Sequence, residues 1–106
     1  MSDVIQVSTT TGTRDDAQRI ADALVEKRLA ACVQVVGPVT STYRWQGNVE
    51  RTTEWLCLIK TTAALYGEVE SVIRELHPYE VPEIIAVPVA AGSRDYLEWL
   101  KGSVRS

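Results

Sequence analysis

The sequence predicts a single α+β domain, residues 1–106, of the ferredoxin-like type, with the order βαββαβ followed by a C-terminal helix. A chain of 106 residues, 45% hydrophobic and 24% charged, has the size and composition of one ordinary globular domain. Four segments rich in β-branched residues alternate with segments whose apolar residues recur at helical spacing. The two middle strands follow each other directly between the two main helices, which is the split βαβ arrangement.

The first half of the chain predicts a strand, a helix and a second strand. Residues 4–9 (VIQVST) are β-branched and predict the first strand. Thr13 begins a Ser/Thr-x-x-acid capping box, so a helix should start there and run to about Leu29 or Ala30. Residues 32–45 then resume strand character. Gly37-Pro38 predicts a bulge or an edge feature in that strand, because proline has no N–H to donate.

The second half predicts a helix, a strand and a terminal helix. Thr61 or Thr62 should cap the second main helix. This helix must end by His77, because the residue before a proline is pushed out of the α region. Residues 84–89 are apolar and predict the last strand. Ser93 then fits the N-cap of a short helix at the end of the chain.

The two middle strands predict a long hairpin. Gly47-Asn48 provides a two-residue turn with glycine first, as a type II′ turn prefers, and residues 49–60 form the return arm. Each arm has about 12 residues against about 5–6 in a typical strand, so the distal half would expose open edges. Tyr43, Trp45 and Trp55 on this ribbon favour an interface with another chain over a ribbon that folds back on its own helices.

Charge and composition exclude several classes of function. The net charge of −3 argues against a nucleic-acid partner, which requires a basic face. No stretch approaches the ~20 apolar residues of a membrane span, and the first residues show no secretory signal, so we expect a cytoplasmic protein. Two cysteines do not make a disulfide framework. In the predicted hairpin, residues whose numbers add to about 95 are paired, which places Cys32 near position 63 and Cys57 near position 38.

The segment HPYEVPEI at residues 77–84 contains the only histidine of the chain. The imidazole of His77 and the carboxylates of Glu80 and Glu83 are ligand types that divalent metals accept. A protein site usually needs three or four ligands, so a complete site would need Cys32 or a neighbouring subunit. Each candidate also has a structural alternative. His77 could be a histidine at a helix C-terminus, where its charged form interacts favourably with the helix dipole. Glu80 and Glu83 could lie in a solvated loop, and Cys32 could be a small buried residue. Lys60, at the end of a strand, would either contact an anionic ligand or be solvated.

The chain resembles the CutA family, the divalent-cation tolerance proteins, over essentially its whole length. The motifs that carry the resemblance are AACV at residues 30–33, STYRWQG at 41–47, IKT at 59–61, HPYEVPEI at 77–84 and YLEWL at 96–100. The resemblance implies a ferredoxin-like subunit in a homotrimer similar to that of the PII signalling proteins, with clefts between subunits. It also implies a role in tolerance to divalent metals, copper above all, and no established reaction.

The resemblance strengthens the interpretation of His77 as a metal ligand, with Cys32, Glu80 and Glu83 as the further candidates. Two positions depart from a metal-site pattern of the family, because some members have cysteine at the position of Ser8 and histidine at the position of Leu76. A second hypothesis is a signalling or scaffolding trimer that binds a small anionic ligand between subunits, with Lys60 and Tyr79 in the cleft. A hydrolytic enzyme has the least support, since no complete catalytic set is visible.

Overall fold

Four antiparallel strands form one sheet in the order β2-β3-β1-β4 in the computed structural model, which describes residues 3–106. The elements are β1 (Val4–Thr11), α1 (Arg14–Glu26), β2 (Cys32–Trp45), β3 (Asn48–Thr62), a 3-10 turn (Ala63–Leu65), α2 (Tyr66–Leu76), β4 (Ile85–Pro88) and α3 (Arg94–Ser103). This order and pairing confirm the predicted ferredoxin-like α+β class. The strands β2 and β4 are the two edges of the sheet.

The predicted helix starts at Thr13 and Ser93 are confirmed. The Thr13 hydroxyl accepts a hydrogen bond from the Asp16 amide at 3.1 Å, and the Ser93 hydroxyl accepts one from the Tyr96 amide at 3.3 Å. These bonds satisfy amides that lack a partner inside the helix. The start of α2 is different from the prediction. Thr62 precedes the 3-10 turn and makes no capping bond, while Thr61 lies in β3.

The end of α1 is also different, because the helix stops at Glu26 rather than at Leu29 or Ala30. Arg28 has a positive φ of 59°, which reverses the chain direction. The amides of Leu29 and Ala30 then bond back to the Leu24 carbonyl at 2.9 and 3.2 Å. Both side chains are buried, so their apolar character reflects the core rather than a continued helix. The predicted end of α2 is confirmed, with His77 extended.

The hairpin is long, as predicted, but its turn is one residue earlier. Trp45 pairs with Asn48, so the turn residues are Gln46 and Gly47, not Gly47 and Asn48. Their φ angles of 50° and 83° are both positive, which is the mark of a type I′ turn rather than type II′.

The pairing shifts between Val36 and Val39, where Gly37-Pro38 forms the expected irregularity with a cis peptide bond. Together with the earlier turn, this shift pairs Cys32 with Lys60 and not with a residue near 63. Cys57 pairs with Val35 and not with a residue near 38. The two cysteines are not partners and both are free thiols.

Helices α1 and α2 cover one face of the sheet and form the core there. Buried residues such as Ile20 and Leu24 of α1 pack with Val7 and Ile59 of the sheet in this cluster. On the opposite face, which we call the open sheet face, side chains alternate outward and remain accessible. Its members are Cys32, Gln34 and Val36 of β2, Leu56, Leu58 and Lys60 of β3, Gln6 and Ser8 of β1, and Ile85 and Val87 of β4.

The last strand is shorter than predicted. It covers Ile85–Pro88 rather than residues 84–89, and it pairs only with β1. Ile85 and Val87 point to the open sheet face and are 56% and 51% exposed. An apolar strand with this exposure leaves a surface that the single chain does not cover.

Candidate functional site

A cleft of about 670 Å³ lies between the distal half of the hairpin and the segment that follows α2. We call it the acidic cleft. It is lined by Thr10 of β1, Ser41, Thr42, Tyr43 and Trp45 of β2, Glu54 of β3, and the segment Tyr79, Glu80, Val81, Pro82 and Glu83. The hairpin contributes one wall because Ser41, Tyr43 and Trp45 alternate along β2 and therefore share one face.

His77 fixes the segment that forms the other wall. Its Nε2 lies 2.6 Å from the Thr10 carbonyl oxygen, and its Nδ1 accepts a hydrogen bond from the Tyr79 amide at 3.1 Å. A carbonyl oxygen only accepts, so Nε2 carries the proton and Nδ1 is the acceptor. The ring is buried and also contacts the Tyr79 ring, with centroids 4.7 Å apart. Both ring nitrogens are therefore engaged within the chain.

Tyr79 connects this segment to the hairpin. Its hydroxyl donates to the carboxylate of Glu54 at 2.7 Å. Burial, together with the hydrogen bond to Glu54 and that carboxylate's charge, raises the pKa of Tyr79 to about 12. A Cβ on Gly12 would lie only 3.1 Å from the Tyr79 hydroxyl, so the absence of a side chain there leaves room for the phenol.

The electrostatics of the cleft are one-sided. Glu54, Glu80 and Glu83 line it, and no lysine, arginine or histidine is among the lining residues. Glu54 is only 5% exposed, while Glu80 and Glu83 lie on the accessible rim. An acidic concave surface attracts cations and repels anions.

The predicted metal ligands do not all meet in one chain. Glu80 and Glu83 both line the cleft, and His77 lies behind it with both nitrogens engaged. Cys32 lies on the open sheet face, in register with Lys60. Among residues 3–106, no three His, Cys, Asp or Glu side chains are grouped so that they hold a metal ion.

The predicted pair for an anionic ligand is also separated. Tyr79 lines the cleft, but Lys60 lies on the open sheet face and donates a hydrogen bond to the Gln34 side chain. Among the predicted interface aromatics, Tyr43 and Trp45 line the cleft and are 42% and 45% exposed. Trp55 is different, because it packs against the core of its own chain.

Glu54 and Thr10 were not predicted as residues of the site. Glu54 is the single charged residue at the start of the run EWLCLI, where the neighbouring side chains are apolar. A carboxylate in such a run is expected to have a polar partner, because burying a charge without one is costly. That partner, Tyr79, is 25 residues away and was not predictable from local pattern. Thr10 contributes its backbone carbonyl oxygen to the bond with His77, and because every residue has such a group, the sequence does not indicate it.

Fold and cleft together define a small α+β protein of the ferredoxin-like class with an acidic site suited to cations. The family model described as "CutA1 divalent ion tolerance protein" matches residues 5–103. The chain therefore belongs to the CutA1 family of divalent ion tolerance proteins. This finding confirms the resemblance that the sequence motifs indicated.

Individual relatives agree with this assignment. The divalent-cation tolerance protein CutA of Thermus thermophilus is 48% identical over 101 residues, which are 95% of this chain and 96% of that protein. The human Protein CutA is 47% identical over 85 residues, or 80% of this chain. The match spans only 48% of the human protein, so this chain corresponds to about half of that relative.

Solved structures show the same fold. The divalent cation tolerance protein (Cut A1) from Thermus thermophilus superimposes with a TM-score of 0.94 at 46% identity, covering 96% of this chain and 99% of that chain. The periplasmic divalent cation tolerance protein CutA from Archaeoglobus fulgidus gives a TM-score of 0.93 at 33% identity, covering 96% of this chain and 99% of that chain.

Across residues 3–106 of the present chain, no helix is both long and apolar enough to cross a membrane.

Proposed function

We propose that the protein binds divalent metal ions at the acidic cleft and acts in the tolerance or response to those ions. The observation that carries this proposal is the cleft itself, where Glu80 and Glu83 stand with Glu54 and no basic side chain lines the wall. Carboxylate oxygens are ligands that divalent cations accept. The family description also names tolerance to divalent ions and names no reaction, so we propose binding without catalysis.

The proposed ligand set starts from Glu80 and Glu83. Two carboxylates from one chain do not complete a site, so the other ligands would be water or groups of a neighbouring subunit. Cu²⁺ binds a given set of ligands more tightly than the other divalent first-row metals, so it is the first metal to test. His77 would have to give up one of its two hydrogen bonds to ligate. We therefore assign His77 to holding the loop.

We propose that the working form is a homotrimer. The open sheet face supports this assembly, because Val36, Ile85 and Val87 are 43%, 56% and 51% exposed on it. Apolar surface of this kind on a sheet is typical of a protein–protein interface. Cys32 lies on the same face, so it would approach a metal only through contact with another subunit.

The free thiols of Cys32 and Cys57 support a cytoplasmic location, which cell fractionation tests.

Calorimetric titration with Cu²⁺ and Zn²⁺ tests the metal proposal. The double variant Glu80→Gln/Glu83→Gln should bind at least about tenfold more weakly, since it removes both charged ligands. The matched control is Glu26→Gln/Glu75→Gln, which removes two exposed carboxylates that lie outside the cleft. Equal metal affinity in the two double variants would reject the cleft as the metal site.

A further inference from the structure

The acidic cleft has features that a bare metal ion does not use. Three aromatic rings, those of Tyr43, Trp45 and Tyr79, line it and are each 39–45% exposed, so a ligand can reach their surfaces. Val81 and Pro82 add apolar wall between the carboxylates. The faces of tryptophan and tyrosine rings attract ammonium groups, and their apolar surface covers methylene groups.

Glu54 has an incomplete set of partners. Its side chain is 95% buried, being 5% exposed, and one carboxylate oxygen accepts the Tyr79 hydroxyl. The other oxygen accepts no hydrogen bond from the described chain and forms no ion pair there. Among residues 3–106, the one fully enclosed side-chain polar atom without a partner is Oγ1 of Thr9, so this oxygen of Glu54 opens onto the cleft. A cationic donor in the cleft would complete it.

The described residues alone do not provide a complete metal site in the cleft. A metal ion draws its ligands to within about 2.0–2.6 Å of one point, whereas no three acidic side chains of the described residues are grouped in that way. A cleft of about 670 Å³ is within the usual range for a small-molecule site.

We infer that the acidic cleft binds an aliphatic polyamine, a flexible chain with ammonium groups separated by methylenes. One ammonium group bonds to the free oxygen of Glu54, and a second lies near Glu80 or Glu83 at the rim. The methylene stem lies against Trp45 and Tyr43. This inference does not rest on metal binding, because it uses the aromatic rings and the unpartnered oxygen of Glu54.

Calorimetric titration of the full chain with hexamethylenediamine tests the inference. Hexamethylene glycol is the matched neutral control, since it has the same stem with hydroxyl groups in place of ammonium groups. The diamine should bind at least about tenfold more tightly than the glycol, and its affinity should fall as salt is added. Spermidine, with a third charge, should bind more tightly than the diamine.

Two variants locate the diamine. Glu54→Gln keeps the side-chain shape but removes the charge, and should weaken diamine binding by about tenfold. Trp45→Ala should weaken it by about two- to fivefold through loss of the cation–π contact, with no risk to the core, because this exposed ring lies at the hairpin end. The matched control is Trp99→Ala, an exposed tryptophan on α3 outside the cleft, which should leave the affinity unchanged.

The inference is overturned if the diamine shows no saturable binding at millimolar concentration or binds no better than the glycol. Equal effects of Trp45→Ala and Trp99→Ala would also overturn it. If a basic side chain of a second copy already fills the cleft, the diamine will not bind, and that result also overturns the inference. Failure here is distinguishable from failure of the metal proposal, since Trp45→Ala should leave the affinity for Cu²⁺ unchanged.

Discussion

Nε2 of His77 lies 2.6 Å from the carbonyl oxygen of Thr10, 67 residues earlier in the chain. The bond joins the end of α2 to the end of β1, and the Nδ1 bond to the Tyr79 amide continues the connection into the wall of the cleft. A single buried imidazole thus positions the segment that holds Glu80 and Glu83. The role that the structure gives this histidine is to shape the site from behind.

His77→Ala should lower the free energy of unfolding by about 2–4 kcal/mol, because it leaves a carbonyl and an amide without partners in a buried place. In protein that remains folded, Cu²⁺ affinity should fall by no more than about threefold, because the segment loses its anchor but keeps both carboxylates. Urea unfolding followed by circular dichroism measures the first quantity and calorimetry the second. Glu75→Ala, on the exposed side of α2, is the control for stability. A loss of metal binding without a loss of stability would make His77 a ligand.

Tyr79→Phe should remove the hydroxyl that donates to Glu54 and should destabilise the protein by about 1–3 kcal/mol, since a buried carboxylate loses its donor. Thermal unfolding at neutral pH measures this loss. Tyr96→Phe is the control, because its hydroxyl makes no hydrogen bond with residues 3–106 and it is 41% exposed on α3. Equal melting temperatures for the two variants would show that the contact between Tyr79 and Glu54 contributes nothing.

The same tyrosine predicts a dependence on alkaline pH. The pKa of Tyr79 is raised from 10.0 to about 12, so the folded protein keeps this proton where the unfolded chain loses it. Its contribution to stability is complete below about pH 10 and is lost as pH rises through about pH 12. Chemical unfolding from pH 9 to 12 should therefore show a steeper decline in the wild type than in Tyr79→Phe. Parallel curves would contradict the raised pKa.

Gly37→Ala should destabilise the protein by about 1–3 kcal/mol through overpacking. A Cβ at this position would lie 2.6 Å from Cδ1 of Trp55, so the indole or the strand must move. Gly67→Ala is the matched control, because a Cβ there meets nothing within 4 Å. In helix α2 that change should be neutral or stabilising by up to about 1 kcal/mol. Similar stabilities for the two variants would mean that Trp55 is free to move aside.

Much of the fold could be predicted from periodicity and capping residues. Thr13 and Ser93 gave correct helix starts because an N-cap bond is made within four residues and leaves a local signature. The end of α1 could not be predicted in this way. Leu29 and Ala30 continue the apolar pattern, yet they are buried after the chain reverses at Arg28. The positive φ of Arg28 could not be predicted, because arginine, unlike glycine, does not indicate such a conformation.

The site was predictable only in part, for a related reason. Glu80 and Glu83 are close in sequence, and the structure places both at the cleft. Glu54 reaches the same place through the register of β3, which depends on an irregularity at Gly37-Pro38 and on a turn at Gln46-Gly47. A shift of a few residues in that register moves a side chain to another partner or face. The expected pairing of Cys32 was off by three residues for this reason.

Val87→Glu should dissociate the proposed trimer. Val87 is 51% exposed on the open sheet face, beside Gln6 of β1, where a charge inside an interface would be buried without a partner. Light scattering after gel filtration should give a mass near three times the chain mass of 11.7 kDa for the wild type and near the chain mass for the variant. Val25→Glu is the control, since Val25 is 44% exposed on α1, on the face away from the sheet's open side. A wild type that elutes as a monomer, or a Val87→Glu variant that remains a trimer, would contradict the assembly through this face.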